Sequence, residues 1–261
     1  AEGLGRDDPG AWAEPAARSL DYALREGRRG WPQLSAAVDL FAATGEDRFA
    51  AAARELAGEL LVEGKMDFTP MTVDTARRYD RAFGEDHSGM LAEGLAKKAD
   101  ATLALARNPF GVCAFGSPDA PNFFGTPADK GGWHVGTNSH LMESAAVVAL
   151  ALQYRDNPAW RVFVQDQFNW VLGLNPYNTS LMEGVGGAFP PSYHHRYVFS
   201  GVPRGAVPGS VINGITWRAV GDDRPSLDLS GVDIPAYESN ECWLPHNTAF
   251  LNAIAAAYSG R

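Results

Sequence analysis

The chain has 261 residues, 45% hydrophobic and 20% charged, with a formal net charge of -9. That is apolar material enough for one domain with a real core. The acidic balance leaves no basic stripe to neutralise phosphates, which argues against a nucleic-acid partner. No apolar run approaches the ~20 residues of a membrane span, and Ala1 to Gly10 lack the basic and apolar regions of a signal peptide.

Helical patterns fill the first half. Trp12 and Trp31 fall on helical stripes and are assigned to the core, as are Trp160 and Trp170 later on. Leu34, Val38 and Phe41 form one stripe. Phe49, Ala53, Leu56 and Leu60 form the next, preceded by Gly45 and stopped by Gly64. Leu91, Leu95, Ala99 and Leu103 follow, closed by Asn108-Pro109. A helix through Leu141, Ala145, Val148 and Leu152 has Asn138 placed to cap its start, and Asn157-Pro158 supplies an N-cap and first-turn proline for Trp160, Val164, Phe168 and Val171. The last helix, Leu244 to Tyr258, is predicted to turn Phe250, Leu251, Ile254 and Tyr258 to the core, with Pro245 in its first turn. Short connections imply antiparallel hairpins. Strand signals are sparse, and Ser210 to Thr216, interrupted by Gly214, predicts no more than a small ribbon within a loop. Cys113 and Cys242 are too few for a disulfide scaffold or a zinc site and read best as unpaired small apolar residues.

Two stretches break the rhythm, Pro109 to Thr137 and Asn175 to Trp243, both rich in Gly, Pro, Asn and aromatics. Loops of that length in a compact domain are functional or disordered, and the aromatics argue for function. The second holds Asn175-Pro176, the glycines Gly184, Gly186 and Gly187, then Pro190-Pro191 and Tyr193-His194-His195-Arg196. Imidazole and guanidinium side by side offer fixed donors to hydroxyls or carboxylates. Further on come Asp233, Tyr237, Asn240 and Glu241, then Asn247-Thr248.

These two blocks together resemble the diagnostic motifs of glycoside hydrolase family 9, in order and spacing. Trp31 to Leu61 and Trp133 to Gly173 are similar to the family's hairpins, so the resemblance runs from about Trp31 to the end. It implies an all-α fold, the (α/α)6 six-hairpin toroid, incomplete at about eight of its twelve helices, with the long loops on one face. It implies that Glu241 is the catalytic general acid. His194, Arg196 and His195 would bind sugar hydroxyls together with Asp233, and Tyr237 with Trp133 or Tyr193 would supply aromatic faces for sugar rings. The reaction implied is inverting hydrolysis of β-glycosidic bonds in a poly- or oligosaccharide, a cellulase-like β-glucan or a glucosaminide. No cofactor is implied, although the acidic loops leave room for calcium. Glu183, Ala188, Tyr193, Asp233 and Trp243 depart from the family pattern around the cleft.

An Asp-Ala-Gly-Asp type motif, which in the family carries the aspartate that activates water, is absent from the sequence. Asp7-Asp8 and Asp222-Asp223 sit in polar turns and read as solvated surface. The whole of 1–261 therefore reads as the C-terminal part of one catalytic domain, inactive alone, whose partner is the N-terminal part of that domain, and the implied function places it outside the cell or in the periplasm. Glu241 lies just before a helix start, whose field favours the anion, so an acid there needs desolvation beside Trp243 and Tyr237 or the negative charge of the absent aspartates. Two other functions fit the same residues: a polysaccharide lyase using Tyr193, His194, His195 and Arg196, and a non-catalytic carbohydrate-binding remnant.

Overall fold

The computed structural model describes residues 10–61, 66–124, 136–205, 207–217 and 224–259. Among them the chain is helical, with α1 (Gly10–Arg25), α2 (Trp31–Thr44), α3 (Asp47–Leu60), α4 (Pro70–Phe83), α5 (Ser88–Leu103), α6 (Asn138–Leu152), α7 (Pro158–Val171), the short α8 (Tyr237–Asn240) and α9 (Leu244–Tyr258). The strands are two-stranded antiparallel ribbons only: β1 (Phe115–Ser117) with β2 (Ala120–Asn122), and β3 (Thr216–Trp217) with β4 (Pro225–Ser226). The all-α expectation holds. The ribbon expected over Ser210 to Thr216 is found only at its last residue, Thr216; Val211 makes an isolated bridge to Met182, and Gly214, at φ +93, breaks the extended run between them.

The chain divides into two compact units, Ala1–Gly94 and Leu95–Arg261. In the first, α2 is the shared partner of α1, α3 and α4. Its stripe of Trp31, Leu34, Ala37, Val38 and Leu40 is buried, as is Phe49, Ala53 and Leu56 on α3. Gly45, in left-handed geometry at φ +69, ends α2, and Phe41 stacks on Phe83 of α4 at 5.1 Å. Gly94 on α5 leaves room for the ring of Phe68, which would lie 1.8 Å from a Cβ there. Trp12 does not join the core: it is 54% exposed, and α1 buries Ala17 and Leu20 instead.

In the second unit, α6 is buried along nearly its whole length and packs against α7 and α9. Asn157 caps α7 as expected, its Oδ1 accepting from the Ala159 N–H at 3.0 Å, and Trp160 donates through Nε1 to Asp100 at 2.9 Å. Trp31, Trp160 and Trp170 are buried as predicted. Gln167, fully buried on α7, holds the first long loop: its Nε2 donates to the Gly111 carbonyl and its Oε1 accepts from the Cys113 N–H, both at 2.9 Å. Cys113 and Cys242 are unpaired.

Two expectations in this unit are corrected. Asn138 does not cap α6. Thr137 is the N-cap residue, and Asn138 sends its Nδ2 to the Ile212 carbonyl at 2.9 Å, tying α6 to the second loop. In α9 the bounds are as predicted and Phe250 is buried as expected, but Leu251, Ile254 and Tyr258 are not. His246, Ala249, Phe250, Ala253 and Ala256 are buried, while Leu251 and Tyr258 are 65% and 61% exposed and Ile254 36%. The small residues let α9 lie close along the alanine-rich α6, and the larger apolar groups are left on the outer side.

Candidate active site

The second long loop is not loose. Extended segments within it lie side by side, held by backbone bonds. Glu183 N–H donates to the Ser210 carbonyl at 2.9 Å and Ile212 N–H to Leu181 at 3.0 Å. Asn213 N–H donates to the Glu241 carbonyl at 3.0 Å and Gly214 N–H to Ser239 at 2.9 Å. His194 N–H donates to the Asn240 carbonyl at 3.0 Å, and His194 and Glu241 form a parallel bridge. The sequence permits this stack because polar side chains satisfy the backbone groups left over. Asn240, fully buried, donates to the carbonyls of Ser192 at 3.0 Å and Asp228 at 2.8 Å. Asn247 on α9 acts on Val211 as a strand would, accepting from its N–H at 2.8 Å and donating to its carbonyl at 3.0 Å.

The bridge puts the side chains of His194 and Glu241 on one face of the paired segments, since bridge partners share a face and alternate residues point oppositely. The His194 Nδ1 lies 2.7 Å from the Pro235 carbonyl. A carbonyl can only accept, so Nδ1 donates and Nε2 of the neutral ring is an acceptor. Tyr237, 38% exposed, meets His194 edge-on at 6.0 Å. Glu241 itself is half-buried and extended at the end of α8, three residues before α9. Trp243 is 47% exposed, so the enclosure expected of Trp243 and Tyr237 is partial.

The other predicted residues are distributed as follows. Arg196 is exposed at the start of a short 3-10 helix, Arg196–Ser200. His195 caps that helix, accepting from Tyr197 N–H at 3.3 Å and packing on the Tyr197 ring at 4.3 Å, and it borders a recess with Ser210, Cys242 and Trp243. Asp233 is exposed in the loop before α8. The aspartate that shapes this loop is Asp228, which accepts from Ala236 N–H at 2.8 Å and Ser230 N–H at 2.9 Å. Burial raises its carboxyl, and the bonds from Ser230 and Ala236 outweigh that and hold it below the usual range. Trp133 and Asp222-Asp223 lie outside the described residues.

Tyr193 is fully buried with its hydroxyl unpaired, and burial, then the charge of Glu183, push its pKa up. A closed-off phenol is no base for a lyase, so that alternative loses its central group. Burial also pushes the Cys242 thiol up to about 11, with Glu183 and Glu241 adding to the rise. His246 is 1% exposed, and its Nδ1 accepts from Ser139 N–H at 2.9 Å in the first turn of α6. Among the described residues no group of three His, Cys, Asp or Glu is placed to hold a metal ion, and no helix is long and apolar enough to cross a membrane.

The family profile described as glycosyl hydrolase family 9 matches residues 32–254. No curated protein matches. Among solved structures, the chain is similar to a metagenome-derived glycoside hydrolase family 9 endoglucanase, at 23% identity and a TM-score of 0.60 over 88% of this chain and 40% of that one. A thermostable endoglucanase from Alicyclobacillus acidocaldarius matches at 23% identity and a TM-score of 0.57, over 87% and 43%. An endoglucanase from the termite Nasutitermes takasagoensis matches at 18% and 0.56, over 87% and 50%. The likeness shows the fold, part of the (α/α)6 toroid. The chain spans less than half the length of the first two.

Proposed function

The chain belongs to glycosyl hydrolase family 9, and from that premise we propose that it supplies the general acid of an inverting β-glycosidase, with Glu241 as the acid. The observation that supports this most is the bridge that sets Glu241 beside His194 on one face of the loop stack. Inversion needs a protonated carboxyl to donate to the leaving oxygen and an ionised one, roughly 6.5 to 9.5 Å away, to deprotonate water. Glu241 can serve only as the first. The second comes from an N-terminal part of the same catalytic domain, which accords with the fraction of the solved structures that this chain spans.

His194, oriented through Nδ1, offers Nε2 to a sugar hydroxyl, and Arg196 and His195 offer further polar contacts. Tyr237 supplies an exposed aromatic face for a sugar ring. Asp233 and Trp133 complete the proposed binding set. The substrate is a β-linked poly- or oligosaccharide of cellulase-like or related type, and such a polymer is met outside the cell or in the periplasm.

The test is reconstitution. Alone, the chain shows no turnover, because without a base the displacement has no competent nucleophile. Adding the N-terminal part, in one chain or co-expressed, creates hydrolysis that Glu241→Gln lowers by about 10² or more with near-normal binding. Hydrolysis by the isolated chain that survives Glu241→Gln would overturn the assignment.

A further inference from the structure

Glu241 follows a helix of only four residues, which cannot hold a side chain in place by itself. What backs it is Asn213, a residue in no motif. Asn213 is fully buried and bonds to both sides. Toward the acid, its N–H donates to the Glu241 carbonyl at 3.0 Å and its Nδ2 to the Tyr237 carbonyl at 2.8 Å, so one residue holds both ends of the Tyr237–Glu241 segment. Away from it, the Asn213 carbonyl accepts from Asn138 N–H at 3.1 Å, at the first turn of α6. The adjoining bonds repeat the pattern: Gly214 donates to Ser239, Ile215 accepts from Thr137, and Gly136 donates to the Glu238 carbonyl at 2.7 Å. Gly136 has no Cβ where one would come within 2.3 Å of the Asn213 backbone, so the contact requires glycine.

We propose that Asn213 is the positioning residue of the acid, transmitting the rigidity of the α6 terminus to Glu241 through the clamp on Tyr237 and Glu241. This rests on Glu241 being the general acid. Its backbone bonds survive any substitution other than proline, so the carboxamide donor is the part that mutation can remove. With that donor gone, the Tyr237 carbonyl keeps only the longer bond from the Glu241 N–H at 3.3 Å, and the carboxyl samples positions away from the leaving oxygen.

Such a defect has a signature that general loosening lacks, because protonation of the leaving group matters only when that group is a poor one. The experiment uses the reconstituted enzyme with two substrates, a β-linked oligosaccharide and a 2,4-dinitrophenyl β-glycoside of the same sugar. Asn213→Ala and Asn213→Leu, which keeps the shape but not the donor, are compared with Glu241→Gln. The expected result for Asn213→Ala is a kcat about tenfold lower on the oligosaccharide, less than twofold lower on the dinitrophenyl glycoside, and KM nearly unchanged. A ratio of the two rates within one preparation is insensitive to any unfolded fraction. Equal losses on both substrates, including loss through failure to fold, overturn the proposal. If Glu241→Gln itself shows no dependence on leaving group, the acid assignment falls. If it does and the Asn213 variants do not, only the positioning role falls.

Discussion

Acidification should weaken the fold through His246. Its imidazole is buried in the first turn of α9, its Nδ1 occupied by the Ser139 N–H of α6. A second proton can enter only at Nδ1, breaking that bond, and the resulting cation would lie against the N-terminal turns of two helices, where positive charge is unfavourable. Burial brings its pKa from 6.5 down to about 4. The unfolded chain therefore takes up the proton first as pH falls. Stability from this group is complete above pH 6.5, declines between 6.5 and 4, and levels off below 4, where the folded form is protonated too. A gap of roughly two and a half pH units corresponds to a loss of about 3 kcal/mol across the window. Urea unfolding at pH 7, 6, 5 and 4.5 would measure it. His140, also held down by burial, acts in the same direction, so the comparison that isolates His246 is with His246→Asn, whose Oδ1 can still accept from Ser139. The slope should be shallower in that variant, with the part due to His140 remaining. Equal slopes in the two proteins would refute the reasoning.

Other outcomes follow from the packing. Gly214→Ala should cost about 1 to 3 kcal/mol, since φ is +93 and a Cβ would meet the Asn138 carboxamide at 2.5 Å, whereas Gly58→Ala, in open space on α3, should gain about 0.5 to 1 kcal/mol; thermal melts would read both. Trp160→Ala should cost about 3 to 5 kcal/mol and Trp12→Ala less than about 1, where two core tryptophans would cost about the same.

What the sequence disclosed depended on whether its signals were local. The Asn157-Pro158 start of α7 and the bounds of α9 were legible because capping and first-turn proline are properties of adjacent residues. The buried face of α9 was not. The apolar pattern includes both Phe250 and Leu251, and the choice between them is made by α6, whose alanines accept Ala249, Ala253 and Ala256 at close range. Helix α4 carries no clear apolar stripe, although Thr69 and Pro70 signal its start, because its buried side includes Thr72, Thr75 and Ala76 beside five charged residues. In the site, His194 and Glu241 were found through motif spacing, 47 positions apart. Asn213 and His246 carried no such mark. Their roles arise from what stands opposite them, namely the carbonyls of Tyr237 and Glu241 and the free N–H of Ser139.

The two bonds from Asn247 to Val211 have a bearing on how the loop can vary in length. A helix residue that reads both backbone groups of one loop residue fixes the phase of α9 against that loop, since a shift by one position would swing the carboxamide by about 100°. Insertions or deletions between Val211 and Asn247 are thus unequal. Those that leave the ends in place alter only the excursion between them, and those in Cys242-Trp243 rotate the whole of α9 and unseat its alanine face from α6. Any chimera that exchanges the last helix with a relative's must carry the loop around Val211 with it.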